Sequence, residues 1–194
     1  DSSLYSATYN LTGYLSMPWP GHHVLAVRSA GGMAKGTYSR RGLFYVGGYN
    51  LDNISLLDTI TAGALNGAFV LRGYKPGVFS GSSYMLQNFE YRLPIARPDR
   101  GISMLPIYLR RIDGNLFVDF GGAFDKLRTE DIKLFHDGAI LFSPQLHTSA
   151  GGELWLGTTL GYVLDVQFRL GYAVGFSDER IPGGQGYFVA SSGF

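Results

Sequence analysis

Few side chains in this sequence stand where chemistry would need them. Arg72 lies in "GAFVLRGYKPG" (67–77), between an apolar run and a glycine. Glu90 lies in "QNFEYRLPI" and Asp119 in "LFVDFGG", each an acid among apolar neighbours. A guanidinium presents several N–H donors in one plane and can fork onto carboxylates, so these three residues could form a charge-paired knot. The four histidines are His22, His23, His136 and His147. The His22–His23 pair adjoins Pro and Gly and reads as an interfacial pair rather than a metal site. His136, Asp52, Asp58 and the "TEDIK" cluster at 129–133 read as solvated loop residues. No GxSxG elbow, HExxH, Walker A or strand-linked GxGxxG pattern occurs, and nothing singles out a Ser–His or paired-carboxylate arrangement. With no cysteine, disulfides, thiolate catalysis and Cys-based zinc sites are excluded. A net charge of +1 provides no general field for nucleic acid. The expectation is a non-enzymatic protein with no metal, cofactor or nucleic-acid partner.

The elements that carry these residues are marked by period-two alternation. In "DVQFRLGYAVGF" (165–176), Val166, Phe168, Leu170, Tyr172, Val174 and Phe176 share one face, and Gln167, Arg169, Gly171, Ala173 and Gly175 share the other. Soluble half-buried strands usually run about five or six residues. About nine to eleven is the length that crosses a bilayer at a tilt. The pattern recurs: Leu154, Leu156, Leu160 and Tyr162 oppose Glu153; Leu116, Val118, Phe120 and Phe124 oppose Asp119 and Asp125. Phe89, Tyr91, Leu93 and Ile95 oppose Asn88, Glu90 and Arg92; Tyr5, Tyr9, Leu11 and Leu15 oppose Ser6, Thr8, Asn10 and Thr12. Leu25 and Val27 oppose Arg28, and shorter candidates fall at 42–48 and 186–194, giving eight strands in one domain, 1–194.

Two architectures fit. A soluble β-sandwich would put the charged faces in water. A transmembrane barrel would put the apolar faces in lipid. Charged residues are only 16% of the 194, glycines number 28, and the polar faces are rich in Gly, Ser and Thr rather than Lys and Glu. Aromatics near strand ends (Tyr84, Tyr162, Tyr172, Phe176, Trp19) suit interfacial girdles. The pattern favours the barrel. No apolar run reaches the roughly 20 residues of a membrane helix, and the chain opens at Asp1 as a mature form or fragment would. Short connections at 37–41 and 162–165 alternate with long ones at about 49–83 and 126–147. That phase has the first strand rising from the periplasm and the last descending to end at Phe194. Two connections sit awkwardly in it. The 97–113 connection is long for a periplasmic turn and fits a short helical turn, and the outer loop at "PWPGH" is unusually short.

Arg72 falls late in the longest loop, and its apolar flank argues against a solvated site. If the loop folds inward, the guanidinium reaches Glu90 and Asp119, which face the lumen by strand phase. In a wet lumen such a pair contributes on the order of 1 kcal/mol.

These residues resemble the C-terminal barrel region of the outer-membrane insertase and translocase superfamily (BamA, TamA and the two-partner-secretion transporters; the bacterial surface antigen family). The V-R-G-F/Y tetrad of that family's sixth extracellular loop is matched by Leu71, Arg72, Gly73 and Tyr74. Its N-x-E-Y-R-x-P strand is matched by Asn88, Glu90, Tyr91, Arg92 and Pro94, and its F-x-D-x-G strand by Phe117, Asp119 and Gly121. Gly151, Glu153 and Leu154, then Gly171, Tyr172 and Ala173, and finally Phe194 complete the order. The family barrel has sixteen strands, and this chain resembles the last eight without the periplasmic modules. The resemblance implies an all-β antiparallel barrel half in the bacterial outer membrane, or that of a bacterially derived organelle. It implies insertion or translocation of β-rich client polypeptides, with outer-membrane lipid, clients, periplasmic assembly factors or a second barrel-completing chain as partners. It also implies an opening seam whose last-strand side is 186–194, including Gly186, Tyr187, Phe188 and Phe194. Two other readings stay open: a passive anchor for an N-terminal effector domain, and a small independent eight-stranded barrel. An inward loop of this length crowds an eight-stranded lumen, which its own side chains nearly fill.

Overall fold

The computed structural model describes residues 4–18, 21–36, 44–49, 69–101, 104–125, 133–136, 139–142, 145–176 and 184–192. The elements are β1 (Leu4–Ser16), β2 (Val24–Gly36), β3 (Phe44–Val46), β4 (Phe79–Gly81), β5 (Ser83–Ala96) and β6 (Arg100–Gly101), followed by β7 (Ile107–Phe124), β8 (Lys133–His136), β9 (Ala139–Phe142), β10 (His147–Leu160), β11 (Leu164–Gly175) and β12 (Gln185–Ser192). One eight-stranded sheet dominates. Its path is β1-β2-β5-β7-β10-β11-β12, every neighbour antiparallel, with the two-residue β6 added beside β7. β1 and β12 are its two ends, and no pairing joins them among the described residues. Most of the long strands run 12 to 18 residues, beyond the usual length in soluble sheets.

The two faces of this sheet are unlike, and in an unusual sense. One face is covered by residues 44–49 and 69–81, and it carries the polar and charged side chains: Asn88, Asn115, Asp119, Glu153 and Ser149 are all buried. The other face is apolar and open: Leu11, Met33, Phe89, Ile95, Leu116, Val118, Leu170, Tyr172 and Phe188 are exposed, Leu170 at 59% and Met33 at 65%. A sandwich would reverse this, since burying apolar area is what drives a soluble sheet to pack.

Of residues 42–48, expected as a wall strand, the described 44–48 are not in the wall. Phe44–Val46 pairs with β4, and Gly47 bridges Val70 in parallel. Val46 is fully buried, with Leu71, Tyr74, Tyr84, Leu86 and Ala30. The run is apolar because it lies on the covered face. Its alternation is also too short to separate a wall strand from a packed one. Tyr84, expected at an interfacial girdle, belongs to this buried cluster as well.

Removing that strand leaves seven long ones and reverses the expected direction of the first two relative to the rest. With every pair antiparallel, β1, β5, β10 and β12 run one way and β2, β7 and β11 the other. The first and last strands are therefore codirectional, contrary to the expectation above. Connections 17–23, 97–106 and 161–163 share one rim with the C-terminal end of β12, and 37–82, 125–146 and 176–184 share the other. Both awkward connections now fall on the short rim. The 97–106 segment carries β6 rather than a helical turn, and the longer rim contains the β8–β9 hairpin.

Codirectional edges make antiparallel self-closure impossible. The chain has no cysteine, so Leu11→Cys with Phe188→Cys, both exposed, is a clean pair for testing this. Oxidation is expected to leave the monomer unlinked. An intrachain disulfide, read by mass spectrometry, would contradict the open sheet.

Candidate functional site

The site begins with alternation. In β7, Asn115, Phe117 and Asp119 point to the covered face; in β5, Asn88, Glu90 and Arg92 do; in β10, Glu153 and Trp155 do. Asn88 lies directly opposite Asp119, and Glu90 opposite Phe117, so Glu90 and Asp119 are diagonal neighbours. Two acids one diagonal step apart in a water-poor place require a cation.

Arg72 supplies it, carried by the segment between β3 and β4. Leu71 N–H donates to the Gly47 carbonyl at 2.7 Å, and Gly47 N–H to the Phe69 carbonyl at 3.2 Å, which zips the two covering segments together. Gly73 has φ +85°, a left-handed conformation that favours glycine, and a Cβ there would come within 3.1 Å of the β11 backbone at Val174–Gly175. Gly175 answers it, because a Cβ at that position would come within 2.6 Å of the Tyr74 ring. The chain therefore turns flush against β11 and seats Tyr74, whose hydroxyl donates to the Thr148 carbonyl at 2.7 Å. Leu71, Arg72 and Tyr74 are all buried.

The Arg72 guanidinium meets three carboxylates. Nε and Nη2 donate to Asp119 Oδ2 and Oδ1, each at 2.6 Å, a bidentate fork. Nη1 lies 3.1 Å from both Glu90 Oε1 and Glu153 Oε1. The Arg72 backbone N–H adds a 3.3 Å bond to Asp119, and the guanidinium carbon sits 3.5 Å from the centroid of the Phe117 ring. Around this centre the acids are closely provided for. Asn88 donates to Asp119 at 2.8 Å. Glu153 accepts from Tyr187 at 2.6 Å, Asn115 at 2.9 Å and Trp155 at 2.6 Å. Arg92 forks onto Glu90 at 3.0 and 2.7 Å. Burial opposes the charge on Arg72, but the pull of Asp119, Glu153 and Glu90 outweighs it and holds the guanidinium above its ordinary pKa.

The expectation that water surrounds the pair, and with it a contribution near 1 kcal/mol, does not hold for Arg72, Asp119 and Glu153. Arg72 is 4% exposed, Asp119 0% and Glu153 6%. Removing one partner from a buried pair strands the others, at about 3–5 kcal/mol. Glu153, Asn88, Asn115 and Trp155 were not assigned to the site from sequence. The phase showed Glu153 facing inward, but only the register shows its distance from Arg72. Of the seam residues, Tyr187 reaches inward to Glu153, and Gly186 pairs with Tyr172. Phe188 faces outward, its ring 5.8 Å from that of Phe168. Phe194, Asp52, Asp58 and most of the 49–83 loop lie outside the described residues. His23 bonds Tyr91 at 2.8 Å, and no group of metal-binding side chains is clustered among the described residues.

The knot is a charge-paired contact among Arg72, Asp119, Glu90 and Glu153. What it does physically is fasten the covering segment to β5, β7 and β10 at once. Comparisons with family models, with curated proteins and with solved structures find no match for this chain.

Arg72→Ala is expected to leave the β-sheet circular dichroism in place and to expose residues 69–78 to limited proteolysis. Arg72→Lys should protect only partly, because an ammonium cannot fork onto Asp119 while also reaching Glu90 and Glu153. Equal cleavage in parent and Arg72→Ala would show that the arginine does not hold the segment.

Proposed function

We propose that this chain is part of the wall of an outer-membrane β-barrel that assists insertion or translocation of β-rich client polypeptides, without covalent chemistry. The observation that carries the reading is the fastening of the Leu71–Tyr74 segment to three strands through Arg72. It gives a physical role to the tetrad on which the resemblance to the insertase and translocase superfamily rests. The inverted sheet supports it: charges covered, apolar side chains outward, strands long enough to cross a bilayer at a tilt.

On this reading the short rim, with the C-terminal end of β12, is periplasmic and the long rim is external. Among the described residues, β1 and β12 have no partner on their outer edges, and an extended client strand can add to the N–H and C=O groups there. The covering segment fills the space behind that sheet, so the wall keeps its shape while an edge is open. Lipid, client polypeptides and further barrel strands are the partners; the bacterial outer membrane, or that of a bacterially derived organelle, is the place.

Two measurements separate the membrane part of this proposal from the client part. Nitroxides at Gln167 and Leu170 of the vesicle-reconstituted protein should differ, Leu170 relaxed by oxygen and Gln167 by a water-soluble nickel chelate. Equal relaxation ends the barrel reading. In phosphatidylcholine vesicles containing the protein, an unfolded β-barrel client should become protease-protected faster than in empty vesicles. Equal rates, with the nitroxide pattern intact, remove the client role and leave the wall.

A further inference from the structure

One arginine of the covered face carries a buried N–H with no acceptor among the described residues. Arg169 of β11 lies opposite Trp155 of β10. Its guanidinium carbon is 4.6 Å from the centroid of the indole, and that of Arg92 is 4.7 Å from the same ring. Arg169 Nη2 donates to Gln167 at 3.1 Å. Its Nε–H is buried and has no acceptor, and no carboxylate stands within ion-pair distance of it among the described residues. An N–H donor buried without an acceptor is an unfavourable arrangement, and the fold places this one beside a cavity.

That cavity has a volume of about 180 Å³ and is bounded by Tyr14, Arg28, Tyr49, Asn88, Arg92 and Arg169, together with Arg72 and Glu90 from the knot. At about 30 Å³ per water it holds more than a single solvent molecule. Among the described residues, four arginines line it, and its one acid, Glu90, is already shared by Arg72 and Arg92. The other two knot acids, Asp119 and Glu153, bond Arg72 from outside the cavity lining. Arg28 holds Asn10 through Nε at 2.9 Å, which fixes its head at the β1 side of the cavity. Tyr14 of β1 is exposed, so a solute can enter from that edge.

We propose that this cavity is a binding site for a small oxyanion, a carboxylate or a phosphate. One oxygen accepts from Arg169 Nε–H, and the charge is shared with Arg92 and Arg28. Guanidinium forks match the two-oxygen edge of either anion, and the indole beneath Arg92 and Arg169 keeps both heads against the wall. The inference rests on the cavity and the unmet Arg169 N–H, not on the membrane or client reading.

Trp155 supplies the readout. The chain has two tryptophans, so Trp19→Phe leaves Trp155 as the only reporter. The purified protein, at constant ionic strength set with sodium chloride, is titrated with inorganic phosphate and, separately, with acetate. A saturable change in Trp155 emission is expected, and Arg169→Gln should raise the apparent Kd about tenfold or more, the loss of a charge-assisted bond. Arg100→Gln in β6, remote from the cavity lining, should titrate as the parent does. Saturation by phosphate alone identifies a phosphate site, and saturation by both a general oxyanion site. If Arg169→Gln loses protease protection of residues 69–78, Arg169→Lys is used instead: it keeps the charge but loses the Nε donor, and a raised Kd supports the site. No saturable change with either anion, or a Kd unaltered by the Arg169 substitution, overturns it.

Discussion

Asp119, Glu90 and Glu153 lie on one face of a sheet, and that face is covered. Removing charges from water costs several kcal/mol per ion even after relaxation. The arrangement persists because one guanidinium meets all three acids, two through a 3.1 Å contact each and one through a fork. The dependence runs both ways. Without the acids, Arg72 has no reason to be buried among Leu71, Tyr74 and Phe117. Without Arg72, Asp119 and Glu153 have no cation among the described residues, and Glu90 keeps only Arg92. A covering segment that was only apolar could slide along the wall. A fork at 2.6 Å cannot, so the knot fixes position more than it adds net stability.

The rest of the covered face is layered from that centre. Along β5, Leu86 lies in the apolar cluster with Val46, Leu71 and Tyr74; Asn88 and Glu90 belong to the knot; Arg92 belongs to the Trp155 layer. Three chemistries thus succeed each other at two-residue steps, the pleat period, with their partners drawn from different strands. Glycines allow the approach: Gly73 and Gly175 bring the covering segment against β11, and without that contact Arg72 would not reach β7 and β10 together.

Strand identity, face and the inward acids were legible in sequence wherever alternation ran long. β11 and the 115–124 part of β7 are examples, because a pleated strand enforces period two over its whole length. Residues 42–48 were misread because a short apolar run has the same pattern whether it lies in a wall or on one. That one strand also carried the parity, so the direction of β1 and β2 was reversed with it and "PWPGH" moved to the other rim, while 97–106 stayed on the rim of 161–163. The pairing of Arg72 with Asp119 and Glu90 could be argued from phase, charge and flanking residues. The pairing with Glu153 could not, since it depends on how β7 and β10 register, which local sequence does not encode. The burial of Arg72 and Asp119 was also invisible, because it depends on residues 44–49 and 69–81 folding over the same ground.

The central claim is that Arg72 and Asp119 act as one unit that holds the covering segment on the wall. A double-mutant cycle on Arg72→Ala and Asp119→Ala, read as hydrogen-exchange protection of the Leu71–Tyr74 amides, tests it most directly. The account predicts strong coupling, about 2 kcal/mol or more, with the second substitution adding little to the first. Losses that add to within about 0.5 kcal/mol would contradict it.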